Sequence, residues 1–189
     1  MSQAPQRLAR QVGVASFALV LALGNVSGAR AADSGTAGTP AGTIVVTEFA
    51  LQDDMVPGPG GRAPGGEAVA RRTAELADFV RDAMETSDRY RLVPLDTDSD
   101  AYRRFENSSG RVFECKRCVA ELGRELGTDF VAHGWVQRVS NLIINLNVEV
   151  IDVDTGRVYD RATVDTRGNT DKSWRDGASY LLRHLEHAL

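Results

Sequence analysis

Cys115 and Cys118, the only cysteines of the chain, stand three residues apart in Cys115-Lys116-Arg117-Cys118. On a helix that spacing brings two side chains to about 5–6 Å, within reach of a disulfide. Two chemistries suit it: a structural bridge, or a redox dithiol whose first thiol sits at a helix N-terminus, where the dipole stabilises thiolate. The pair does not directly follow the first strand, and both sulfurs share an apolar face with Leu122, so the structural disulfide is the expectation. Haem attachment is excluded because Val119, not His, follows Cys118. A metal site would need two further ligands, and His133, His184 and His187 have no ligand spacing.

Asp96-Thr97-Asp98-Ser99-Asp100 places carboxylates on alternate residues, as the opening of a calcium loop does, which makes Asp96, Asp98 and Asp100 the candidate ligands for a hard cation. The glycine position of such a loop holds Ala101, however, and its twelfth position holds Asn107 in place of a bidentate Glu. A solvated acidic turn is expected. The Gly-rich stretch at 58–66 lies between a strand and a helix, like a phosphate loop, but lacks the Gly-Lys-Ser/Thr ending. It reads as a mobile loop, fit for a lid or a partner contact. No cofactor is implied, and no Ser, His and Asp set has a local signature. Trp135 and Trp174 are expected in the core.

The elements that must position these residues follow from periodicity. Thr43-Ile44-Val45-Val46-Thr47-Glu48-Phe49 is a β-branched run, expected as a central strand covered on both faces. Between Glu67 and Thr86, Val69, Thr73, Leu76, Val80 and Met84 recur every three or four residues, the stripe of an amphipathic helix. Tyr90 to Leu95 is a short strand that Pro94 ends or holds at an edge. Cys115 to Leu126 is a second helix, stopped by Gly127. Asp129 to Val139 is a strand. Leu142 to Val150 alternates as a half-buried strand with one wet face, and the turn Asp154-Thr155-Gly156 returns it through Val158 to Thr166 as a hairpin. Trp174, Ala178, Leu181, Leu182 and Leu185 stripe a last helix. The expected fold is α/β (α+β), a single domain with a mixed sheet of about five strands and helices packed on it, in the order β-α-β-α-β-β-β-α.

Ahead of this domain, Arg7 and Arg10 precede the apolar run Val12 to Gly24, which is too short to span a bilayer. Ala29 and Ala31 then occupy the positions a signal peptidase needs, so residues 1–31 read as a cleavable signal peptide and the mature chain begins at Ala32. No Cys stands there to be lipidated. Residues 32–42, rich in small residues, form a flexible leader to a 43–189 domain. Cleavage removes three arginines and no acid, so 22 bases against 26 acids become 19 against 26, net −7. Such a balance argues against nucleic acid, whose backbone is held by Lys and Arg. No stable membrane insertion is expected after cleavage, and the compartment expected is the periplasm, where disulfides persist.

The stretches Cys115-Lys116-Arg117-Cys118, Leu126 to Val136, Asp152 to Gly156 and Arg167 to Trp174 together resemble a family of predicted secreted bacterial proteins of unknown function, from about Thr43 to the C-terminus. More distantly, the element order and the Leu126 to Gly134 passage resemble the α/β domain of the TolB N-terminal part and of CsgG-like proteins. The resemblance implies a non-catalytic accessory or binding protein of the cell envelope, with another periplasmic or envelope protein as partner. The alternatives are a periplasmic thiol-disulfide redox protein using Cys115 and Cys118, and a hard-cation-binding protein using Asp96, Asp98 and Asp100.

Overall fold

In the computed structural model, the described residues are 42–55, 65–108 and 114–185. The 1–31 segment with Ala29 and Ala31, the leader with Ala32, most of the Gly-rich stretch and His187 lie outside them.

Strand β1 (Gly42–Val46) has Ile44, Val45 and Val46 buried, so both of its faces are covered. It pairs in parallel with β3 (Tyr90–Leu92) on one side and with β4 (Phe130–Arg138) on the other. Strands β4, β5 (Ile143–Asp152) and β6 (Arg157–Arg167) form an antiparallel meander. The order is β3-β1-β4-β5-β6, and β2 (Ala50–Asp53) pairs with β4 beyond the end of β1 to complete a mixed six-stranded sheet. The turn into β6 is set by Asp152, whose carboxylate accepts the Thr155 N–H at 2.8 Å, and by Gly156 at φ 65°.

Helices cover both faces. On one, α1 (Gly66–Thr86) buries Val69, Leu76, Val80 and Met84, and α4 (Asp171–Arg183) buries Trp174, Ala178 and Leu181, against Ile44, Val46, Val136, Ile144, Leu146 and Val148. Each of the Val, Leu, Ile and Met side chains among them contributes about 1.5–3 kcal/mol by leaving water. On the other, α2 (Asp100–Ser108) and α3 (Lys116–Leu126) close a smaller core of Tyr102, Phe105, Val119, Leu122, Val45, Val131 and Ile151. Neighbouring positions of one strand thus serve different cores, because strand side chains alternate.

Two elements were not expected. The β-branched run predicts one strand to Phe49, but the chain leaves the ladder after Val46 and resumes as β2. The Phe49 ring lies flat against Gly134, where an added Cβ would meet it at 2.3 Å. Helix α2 grows out of the acidic turn: Ser99 Oγ accepts the Tyr102 N–H at 3.2 Å, and the helix is anchored by buried Tyr102 and Phe105 with Ala101 packed beside them, too few apolar positions to show a period. A third difference concerns β5, whose polar face is not wet throughout. Asn147 and Glu149 are buried.

Candidate functional site: a buried polar row beside an open shelf

The register of β4 on β5 sets His133 opposite Glu149, and that of β5 on β6 sets Glu149 opposite Arg161. All three project on the α3 face. His133 and Glu149 are 1% and 2% exposed. His133 Nε2 lies 3.5 Å from Glu149 Oε2, Arg161 Nη2 pairs with Glu149 Oε1, and Lys116 Nζ, at the first residue of α3, stands 3.8 Å from the same oxygen. Burial works to raise the pKa of Glu149, but the contact with His133 and the positive groups of Arg161 and Lys116 outweigh it and hold the carboxyl below the ordinary Glu range. Among the described residues neither ring nitrogen of His133 has a hydrogen-bond partner, nor does the hydroxyl of Thr47, buried just past β1.

Further along the same sheet face the polar rows open outward. Asn147 Nδ2 donates to the Trp135 carbonyl at 3.3 Å, and Thr163 Oγ1 donates to Asn147 Oδ1 at 3.1 Å. In the next row Asn145 donates to Asp165, and Gln137 Nε2 donates to Asp54 Oδ2 at 2.8 Å. Trp135, Gln137 and Asn145 are half-buried, while Thr163 and Asp165 are exposed. The Trp135 indole stacks toward the His133 ring, with centroids 6.0 Å apart. The arrangement is a sealed charge cluster bordered by a shelf of amides, hydroxyls and one indole. It can bind a polar surface.

The expected site residues take the following places. Cys115 caps α3: its Sγ accepts the Cys118 N–H at 3.3 Å, and the two half-buried sulfurs lie 2.02 Å apart. The bridge therefore staples the helical turn that carries Lys116 over Glu149. Asp96 and Asp98 do not converge with Asp100. Asp96 Oδ1 accepts the Asp98 N–H at 2.9 Å, Asp98 lies 3.4 Å from Arg103, and Asp100 opens α2. Among the described residues no group of three His, Cys, Asp or Glu side chains could hold a metal ion. Trp174 is in the core, with Nε1 donating to Asn169 at 2.9 Å, but Trp135 is on the shelf. His184 caps α4 and stacks on Tyr180. Sequence reasoning missed Glu149, Arg161 and Lys116. The alternation of β5 predicts Glu149 as a solvated position, and the signal that could have found it is the pairing of His133 with β5, which depends on a register between strands.

The family model DUF3280, described as a protein of unknown function (DUF2380), matches residues 42–185. Among solved structures, the C-terminal domain of LpoB from Escherichia coli is 16% identical, with 67% of this chain and 83% of that chain covered and a TM-score of 0.45. Lipoprotein GNA1162 from Neisseria meningitidis is 12% identical, with 79% and 99% covered and a TM-score of 0.48. No curated protein matches the sequence.

Proposed function

We propose that this chain, which belongs to the DUF3280 family of unknown function, is a non-catalytic accessory protein of the bacterial cell envelope that binds another envelope protein. The observation that carries this reading is the contrast between the sealed row and the shelf. An acid–base pair able to run proton chemistry must reach the substrate within hydrogen-bond distance. His133 and Glu149 are instead closed off beneath Lys116 and Arg161, while Trp135, Gln137, Asn145 and Thr163 present donors, acceptors and an indole outward. Such a mixture of an aromatic with amides and hydroxyls suits partner recognition.

Export supports the same reading. The basic, apolar and small-residue order of Arg7 to Ala31 directs the chain out of the cytosol, with cleavage before Ala32, and the cysteine pair then oxidises in the periplasm. Among the described residues no helix is long and apolar enough to cross a membrane.

The test is site-specific photo-cross-linking in the native host with the reactive residue at position 137, followed by mass spectrometry. One specific envelope protein is expected, and its adduct should disappear in the Trp135→Ala, Asn147→Ala variant. Recovery of no specific neighbour would overturn the reading.

A further inference from the structure

Strand β6 ends the sheet: among the described residues its one strand neighbour is β5. The outward backbone groups of Arg161 to Arg167 therefore form an open edge, of the kind that recruits another strand. Charged side chains ordinarily blunt such an edge, and β6 carries Arg161, Asp165 and Arg167 there. Their order reverses the effect, because the run is its own antiparallel complement.

In an antiparallel pair, opposed residues share a face, so a two-fold axis normal to the sheet must pass through a residue. An axis at Arg161 or at Asp165 sets that charge against its own copy. An axis at Val164 sets Arg161 against Arg167, and one at Ala162 leaves Arg161 facing Thr163. Two axes set acid against base with no like charges opposed, those at Thr163 and at Thr166, but the second pairs only residues 165–167 of each copy because β6 ends at Arg167, so the axis at Thr163 is the one that keeps the strands paired along their length. Arg161 then meets Asp165 of the second copy, Asp165 meets its Arg161, Thr163 meets Thr163 and Ala162 meets Val164. Opposite charges, paired threonines and apolar pairs are the contacts that stabilise neighbouring strands, and like charges are the ones that forbid them. The groups have capacity to spare: Arg161 is half exposed beyond its Glu149 contact, and Asp165 accepts from Asn145 on Oδ1 alone.

A second feature lies on the other side of the same edge. A cleft of about 560 Å³ separates Val164 and Thr166 of β6 from Asp176 and Tyr180 of α4, and Tyr180 is 43% exposed. A two-fold normal to the sheet keeps both copies of α4 on one face, so each cleft faces the other copy's helix. We propose that β6 pairs antiparallel with β6 of a second copy about Thr163, giving a two-fold dimer with one continuous sheet. This goes beyond the accessory role and stands without it.

Sedimentation equilibrium of the purified protein, over a range of concentrations, is the first measurement. A monomer–dimer equilibrium is expected, and Asp165→Lys, at an exposed position, should weaken it about tenfold or more, since both ion pairs become like-charge contacts. Far-UV circular dichroism checks that this variant is folded. The second measurement uses Thr163→Cys, in which the introduced thiol is the free one because Cys115 and Cys118 are bridged. Mild oxidation should give a covalent dimer, whereas Leu142→Cys, exposed but off the edge, should not. A monomer at every concentration overturns the proposal. So does a dimer that Asp165→Lys leaves intact and Thr163→Cys does not trap.

Discussion

At the residue scale, Glu149 has the largest energetic role that the site exposes. One carboxylate, taken almost wholly out of water, is held ionised by three positive or polar neighbours. Removing one member of a buried ion cluster leaves the others without a counter-charge, at about 3–5 kcal/mol for a fully buried pair. Lys116 and Arg161 are half exposed and can turn to solvent, so Glu149→Gln should cost less, about 2–3 kcal/mol at pH 7, read from the urea midpoint. The pH dependence has a definite sign. The folded-state pKa of Glu149 lies below its ordinary 4.5, so the carboxylate stabilises the fold above that value. The advantage of the native protein over Glu149→Gln should therefore shrink as pH falls below about 4.5 and vanish beneath the folded-state pKa. An advantage that grew on acidification would contradict this account. In the sequence, His133 was visible as a candidate, but its partner was not, because nothing local to Glu149 marks it as buried.

At the scale of elements, the first turn of α3 and the break between β1 and β2 both hold the site. The Cys115–Cys118 bridge closes a short loop, for which the chain-entropy estimate is about 2 kcal/mol. Changing both cysteines to alanine should lower stability by about that much, with reductant reproducing the loss in the native protein and leaving the double variant unchanged. If the pair is structural, partner cross-linking at position 137 should survive the double variant. The second element-scale prediction is Gly134→Ala. Its Cβ would stand 2.3 Å from the Phe49 ring, so the ring or the strand must move. Overpacking of this kind costs about 1–3 kcal/mol, measurable as a drop in the urea midpoint, and Phe49→Leu in the same chain should recover part of it. The strand of the first run was legible from its β-branched residues. The break was not, since it depends on one ring meeting one glycine 85 positions away in the chain.

At the scale of the whole molecule, the chain places two unequal cores on either side of one sheet. Both cores are built from residues 44–185. A chain begun at Ala32 should unfold in a single cooperative transition with the same midpoint as the 189-residue chain, by denaturant and by heat. N-terminal sequencing of the protein from its host should read Ala32, and retention of Met1 would remove the periplasmic reading together with the oxidising compartment it supplies. What the sequence determined by itself is the fold class: period-2 runs, period-3.6 stripes and the turn at Asp154 to Gly156 are local signals, and each element states its own period. The tertiary structure alone decided which polar residues are sealed and which face outward. Burial of His133 and Glu149, the half-buried position of Trp135 and the open edge of β6 all arise from the registers between strands and from where α2 and α3 stop covering the sheet, and those are pairings of residues that no window of the chain contains.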